Sequence, residues 1–256
     1  MDSLIPTSIC VALPAYNEEE NLGPLLERID RALQPLTIPY RVIVVDDGSR
    51  DRTSDIIAEY SRRLPVYAVT HPINKGLGPT IRDCLLKASE ICDDNAVIVT
   101  MDSDESHDPQ LIHAMLEQIR QGRDLVIASR YRPGAEVHGL SAFRILLSLG
   151  ASYLMRVLHP VKGVRDYTCG FRAYRKTVIT RLIEVHGTNF VEAQGFHCMA
   201  EILLKIGRLH VSIGEVPMVL RYDLKKGQSK MRTLHTIRNT LALAFKFGNS
   251  GNKPPD

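Results

Sequence analysis

Two apolar runs in this chain end in carboxylates. The first, VIVVDDGS, closes on Asp46 and Asp47; the second, VIVTMDSDESHDP, closes on Asp102 and Asp104. In the DSD triplet two carboxylates flank Ser103, close enough to bind one divalent ion with the help of a phosphate. Hard ions such as Mg2+ or Mn2+ favour carboxylate, phosphate and water oxygens. An ion held there would neutralise charge building on a departing diphosphate. A plainer reading stands beside this one, because Asp and Ser are favoured in turns after buried strands for their local hydrogen bonds alone. The joint placement of both clusters at strand ends weighs against it. A third segment, LPAYNEE, adds Pro14 as a strand stop, Tyr16 as a stacking face, and Asn17 with Glu18 at a helix start. A nucleotide base needs a flat wall with donors and acceptors at its edge, and Tyr16 and Asp47 could supply both.

The elements that must position these groups alternate. Strands are expected at Ser8–Pro14, Arg41–Asp46, Val66–Thr70, Ala96–Met101 and Asp124–Ser129. Helices are expected near Glu18–Leu33, Asp51–Arg63, Gly76–Ile91 and Pro109–Gln121. Ile56, Ile57 and Tyr60 recur at helical spacing, and Asp108-Pro109 places an oxygen-bearing cap before a proline. Strand–helix alternation predicts an α/β chain with a mostly parallel sheet and helices on both faces. Ligands of such sheets bind at the carboxyl ends of the strands, where both acidic clusters fall. Beyond Ser129 the rhythm changes. A long amphipathic helix is expected over Leu140–Leu158, then a strand at Thr168–Arg175, a helix near Gln194–Ile206 and a strand near Val211–Tyr222. A last helix over Leu234–Phe247 and a fraying tail, Gly248–Asp256, would follow a domain spanning residues 1–232.

Composition sets limits on partners. The chain has 256 residues, 44% hydrophobic and 24% charged, with a net charge of +3, enough for one well-buried domain and too little charge to suggest nucleic acid. Lys225, Lys226, Lys230 and Arg232 make the last third basic, which by itself fits a solvated face. Five scattered cysteines, an odd number without CxxC spacing, fit a reducing compartment, and Met1–Thr7 shows no signal peptide. A cytoplasmic protein is expected. The most apolar stretch, Ile145–Met155 between Arg144 and Arg156, would rise only about 16 Å as a helix against a hydrocarbon core of roughly 30 Å. It is too short to span a bilayer and could lie at a membrane surface, packed on the sheet, or against a partner subunit.

The segments LPAYNEEENL, VVDDGSRDRT, NKGLG, MDSDESHDP, ASRY and YTCGFRAYRK occur in the order found in family-two glycosyltransferases. From Ile9 to Arg232 the chain resembles that family, and within it dolichol-phosphate mannose synthases and related polyprenyl-phosphate glycosyltransferases. The resemblance implies a GT-A fold, Rossmann-like in its central sheet, and inversion at the anomeric carbon. It also implies a nucleotide-sugar donor, GDP-mannose above others, and a polyprenyl-phosphate acceptor. By the same resemblance Pro14, Tyr16, Glu18, Val45 and Asp47 match positions lining the nucleotide pocket. Asp102 and Asp104, with Ser103 between them, match the metal and diphosphate positions, and Arg130 matches a donor-contacting arginine. Lys230 of GQSKM matches a lysine in a loop that closes over the site, and Asp166 matches an acidic residue before the TSGF-like strand. The chain departs from the family at two places. Ser106 stands where many members have a glutamine that completes the metal shell. Leu224 stands where relatives place an arginine that meets acceptor phosphate, so Arg221, Lys225 or Lys226 would have to serve.

These readings converge on direct displacement, with Arg130 and Lys230 adding positive charge where negative charge develops. A phosphate acceptor would need no general base; an alcohol acceptor would, and Asp166 is then the candidate, against a plainer role as a cap or as a partner of Arg165 or Arg172. Two rivals stay open: a glycosyltransferase with a soluble alcohol acceptor, and a catalytically idle nucleotide-sugar binding module. A dinucleotide dehydrogenase fits poorly, because no GxGxxG follows the first strand.

Overall fold

The structure, a computed structural model, describes residues 6–224 together with Lys226, Asn239, Ala242, Leu243 and Phe247. Continuous β-branched runs build the centre. In β1 (Ile9–Ala15), β2 (Tyr40–Asp46), β4 (Val97–Thr100) and β5 (Leu125–Ser129) nearly every residue is buried, the pattern of parallel strands covered on both faces. β3 (Val66–Thr70) buries only its first residue fully, as an edge strand does. With β7 (Arg172–Arg175) and β8 (Ile213–Pro217) these form one seven-stranded sheet in the order β3-β2-β1-β4-β7-β5-β8. All its ladders are parallel except the two made by β7.

The chain winds outward from β1 through β2 to β3, then crosses back to β4 on the other side of β1. That reversal puts a crevice at the carboxyl ends of β1 and β4. The helices that cover the sheet do so with apolar stripes. α1 (Leu22–Leu33) buries Leu22, Leu25, Leu26, Ile29 and Leu33; α4 (Leu111–Arg120) buries Ile112, Met115, Leu116 and Ile119. Both follow the three-and-four spacing of one helical face. α2 (Thr53–Tyr60) and α3 (Leu77–Ile91) complete the first half.

The second half departs from expectation in four places. The expected strand Thr168–Arg175 forms only from Arg172, and it runs antiparallel between β4 and β5. An unforeseen helix, α6 (Lys176–His186), follows directly, burying Val178, Ile179 and Leu182 beneath a polar composition. The expected Val211–Tyr222 strand breaks at Met218 into β8 and β9 (Val219–Arg221). β9 leaves the main sheet to pair in parallel with β6 (Glu136–His138). The expected Gln194–Ile206 helix starts late, as α7 (Cys198–Gly207). α5 (Ala142–Leu158) forms where the apolar stretch predicted it. Of the expected C-terminal helix, Asn239, Ala242, Leu243 and Phe247 are described and helical, with Phe247 against His159 and Arg208; the rest lies outside the described residues.

Candidate active site

The loops after β1 and β2 are stitched to each other. Ala15 carbonyl accepts from Asp47 N (2.8 Å), Asn17 N donates to Ser49 Oγ (2.9 Å), and Arg50 N donates to Asn17 Oδ1 (2.8 Å). Asn17 takes the left-handed backbone (φ 50°) that this turn needs, a conformation asparagine tolerates better than most. Glu18 N donates to Thr53 Oγ1 (2.8 Å), which fixes the start of α2 against the start of α1. Asp46 is wholly buried, accepting from Ser49 N at 3.0 Å and from the Ser54 hydroxyl, so it serves the turn as the plainer reading held. Pro14 and Tyr16 are half-buried on this edge, whereas the Val45 side chain is fully enclosed in the core and presents no surface to a ligand.

Asp47 points into the protein. Its Oδ1 accepts from Lys75 N (2.9 Å), its Oδ2 from Gly76 N (2.9 Å), and His71 Nδ1 lies 2.7 Å from Oδ1. The carboxylate expected at a base edge is thus committed to the turn that opens α3. Glu18 is likewise buried. Its Oε2 accepts from Asn21 Nδ2 (2.7 Å), and Asn21 in turn binds the Lys226 backbone through both amide atoms (3.2 and 3.3 Å). Lys226 is thereby carried to the opening of α1, while Lys225 and Lys230 lie outside the described residues.

The acidic loop after β4 is held from three sides. Ser103 Oγ donates to Pro14 carbonyl (2.8 Å), joining it to β1. Asp102 N donates to His107 Nδ1 (3.1 Å), whose ring stacks on Phe171 at 5.1 Å. Ser106 donates to Asp104 Oδ1 from both its N (3.2 Å) and its Oγ (2.6 Å), so the serine that replaces glutamine orients the second carboxylate. Glu105 between them has φ 62°. The Asp102 side chain is 39% exposed and Asp104 is nearly buried. A Cβ on Gly170 would come within 3.2 Å of Asp102 Oδ1, and Gly170 carbonyl accepts from Thr100 Oγ1 (2.7 Å), so this glycine lets the backbone before β7 pass behind the acid. His107 was not singled out from sequence, where a lone histidine in a polar loop carries no distinguishing signal.

At the end of β5, Arg130 and Asp166 form a two-pronged ion pair: Nε to Oδ2 at 2.8 Å and Nη2 to Oδ1 at 2.7 Å. Arg130 N also donates to Oδ2 (3.1 Å), and Thr168 N and Cys169 N donate to Oδ1 (3.2 and 3.1 Å). Arg130 Nη2 reaches Thr168 Oγ1 as well (2.7 Å). Burial pushes the Asp166 carboxyl up, but the Arg130 charge and these donors hold it below the ordinary value. The same pairing overcomes burial to raise Arg130. A fully buried carboxylate with this many donors is a poor proton acceptor, so the general-base reading of Asp166 gives way to one in which it aims Arg130. Its partner is neither Arg165 nor Arg172: the former's N and Asp166 N both donate to Glu215 Oε1, and the latter donates to the carbonyls of Met199 and Tyr167.

Arg221 N donates to Ser106 carbonyl (3.0 Å), which lays β9 beside the acidic loop. The Arg221 guanidinium pairs with Asp223 (2.8 Å), and Leu224 follows, exposed. The structure therefore collects Pro14, Ser103, Asp102, Asp104 and Arg221 on one edge. Residues Asp166–Gly170 bridge from Asp102 to Arg130.

Among the described residues no group of three or more His, Cys, Asp or Glu is gathered to hold a metal ion. Asp102 and Asp104 offer hard carboxylate oxygens only, a donor set that suits Mg2+ or Mn2+ if phosphate or water oxygens fill the other positions.

The comparisons with known proteins agree with this geometry. Residues 10–183 match the model of "Glycosyl transferase family 2". A dolichol-phosphate mannosyltransferase of Pyrococcus furiosus is 36% identical over 88% of this chain, which spans 59% of that relative's length. A polyprenol monophosphomannose synthase of Mycolicibacterium smegmatis is 31% identical over 94% of this chain and 87% of its own. A glucosyl-3-phosphoglycerate synthase of Mycobacterium tuberculosis, solved with Mn2+, uridine diphosphate and phosphoglyceric acid, shares the fold over all of this chain and 82% of its own, with a TM-score of 0.70 at 19% identity. The sheet is that of the GT-A glycosyltransferases, and the chain belongs to glycosyl transferase family 2.

Proposed function

We propose that this chain transfers a sugar, mannose from GDP-mannose, to a polyprenyl or dolichyl phosphate with inversion at the anomeric carbon. The observation that carries the choice of acceptor is the Arg130–Asp166 pair. The carboxylate best placed to act as a base is spent on an arginine, whereas a phosphate acceptor is already ionised near neutral pH and asks for no base. The two named relatives, a dolichol-phosphate mannosyltransferase and a polyprenol monophosphomannose synthase, support the same acceptor class.

In this reading Tyr16 and the loop from Pro14 to Glu18 receive the nucleotide. Asp102 and Asp104 would hold Mg2+ or Mn2+, which supplies Lewis-acid stabilisation of the leaving diphosphate. Arg130, held by Asp166 and Thr168, keeps a fixed positive charge beside the donor, where preorganised charge is worth most. Lys230 would add a second. Arg221 and Lys226 take the place of the arginine replaced by Leu224 and draw the acceptor phosphate to the same edge; Lys225 would add to their charge.

A lipid acceptor requires access to a membrane. Among the described residues no helix is long and apolar enough to cross one. On α5, Leu146, Leu149, Tyr153 and Val157 are exposed at spacings of three and four, one face of the helix. Arg156 lies over the Tyr153 ring, and the helix sequence holds no acidic residue. This face suits the surface of an anionic bilayer, and a cytoplasmic protein resting peripherally on a membrane is our reading; a partner subunit on the same face is the alternative.

The deciding experiment is transfer of radiolabelled sugar from GDP-mannose, with UDP-glucose in parallel, to a short-chain polyprenyl phosphate. Label in the lipid phase that EDTA abolishes supports the proposal and names the donor. Metal-dependent donor hydrolysis without lipid label would overturn the acceptor, and no turnover with retained donor binding would favour the idle binding module.

A further inference from the structure

His71 stands between two carboxylates. Nδ1 lies 2.7 Å from Asp47 Oδ1 and Nε2 lies 2.9 Å from Asp83 Oδ2. The ring is 4% exposed, and Asp47 is equally enclosed. Asp83 is itself held by Arg82 Nε at 2.9 Å and faced by Lys75 Nζ at 4.0 Å. Through Asp47 the ring reaches the amides of Lys75 and Gly76; through Asp83 it reaches the Lys75 ammonium. Both ends of Lys75 therefore depend on one imidazole.

The segment so held has little freedom elsewhere. A Cβ on Gly48, at φ +70°, would lie 2.7 Å from Ile73 C and Asn74 N. On the other side Gly78 N donates to Gln194 carbonyl (3.1 Å). The turn is thus wedged between the DDGS loop and the chain near Gln194, with only backbone atoms at both contacts. It borders the loop after β2, which is stitched to the loop after β1 assigned above to the nucleotide.

We propose that His71 is a positioning residue for donor binding: bridging Asp47 and Asp83, it sets the Ile73–Gly76 turn as one wall of the nucleotide pocket. This inference rests on the donor reading above and extends it to His71 and Asp83, which no motif identified. The ring contributes to the affinity for nucleotide and not to the chemical step.

The test is the dissociation constant for GDP and for UDP, each with Mg2+, alongside kcat and donor KM and a melting curve for every variant. His71→Leu removes both contacts, and the nucleotide Kd and donor KM should rise by about 10-fold or more, the order expected when buried charge-assisted hydrogen bonds are lost, with kcat within about 2-fold. His71→Asn places an amide near the Nδ1 position and should restore most of the affinity; His71→Gln reaches toward Asp83 only and should not. Asp83→Asn should weaken binding on its own and add nothing to His71→Leu. A folded His71→Leu with unchanged Kd overturns the inference, as does a fall in kcat at constant KM. If His71→Leu does not fold, equal Kd values for the Asn and Gln variants overturn it. A wild-type chain that binds neither nucleotide would overturn the donor reading itself, and this inference with it.

Discussion

Asp104 and Asp166 are both buried carboxylates on the same edge, yet their substitutions should fail in different ways. Asp104 is oriented by Ser106, whose N and Oγ both donate to its Oδ1. Asp104→Ala should lower sugar transfer by at least about 100-fold while the melting temperature stays close to wild type, because the change removes charge stabilisation of the leaving group and little packing. Near-normal turnover would sink the metal assignment. Asp166→Asn instead leaves Arg130 buried without a counter-charge, which costs on the order of 3 kcal/mol by comparison with other broken buried pairs. Because the folded carboxyl titrates below its ordinary value of 3.8, its contribution is fully present above that value and is lost as pH falls through the folded one. Urea unfolding of wild type and Asp166→Asn should therefore differ at pH 7 and converge under strong acid; parallel curves at all pH values would refute the ion pair. The acid pair of DSD was legible in the sequence because it follows an apolar run. The partner of Asp166 was not legible, since Arg130 lies 36 residues away and nothing local names it.

At α3 a glycine lets two backbones meet closely. A Cβ on Gly78 would sit 1.6 Å from Ala193 carbonyl, so Gly78→Ala must push α3 away from the 193–194 backbone. A loss of about 1–3 kcal/mol and weaker nucleotide binding are expected, read by thermal melting and by GDP titration. Gly150 in α5 meets nothing within 4 Å, and Gly150→Ala should stabilise by about 0.5–1 kcal/mol through helix propensity. A melting curve shifted the other way would show that this helix face is packed. The parallel strands were readable because four-residue apolar runs such as Val42–Val45 need burial on both faces whatever their neighbours. The direction of β7 was not readable: RAYR carries no mark of orientation, and its place is set by its pairing with β4 and β5, both far earlier in the chain. α6 was hidden because its three buried apolar residues are interleaved with Lys, Thr and Arg.

For the molecule as a whole, the exposed face of α5 and the site must share one orientation if a lipid phosphate is to arrive. Tyr131, next to Arg130, bonds Ser148 of α5 at 2.8 Å (Oη to Oγ), so the helix is tied directly to the strand end that carries the arginine. Wild type should float with liposomes containing anionic lipid at low salt. The combined change Leu146→Ser, Tyr153→Ser and Val157→Ser should reduce that partition by at least about 10-fold and leave GDP affinity unaltered. Failure of the wild type to float would remove the bilayer from consideration and direct attention to a protein partner on this face. The sequence supplied the helix and its apolar character, but only the packed structure tells which of its residues stay outside.

The antiparallel strand has a consequence for how this molecule is made. β4 and β5 share no ladder of their own; β7 lies between them and joins them. A nascent chain emerging from the ribosome therefore completes the segments bearing Asp102 and Arg130 well before it delivers the residues that zip them together. Until Arg172–Arg175 arrives, the outer edge of β4 has no partner, and β5 has none on either side because β8 comes later still; such edges recruit neighbouring chains. The candidate edge is closed late and from within, so a chain interrupted before Arg172 would leave the β4 edge open to other chains.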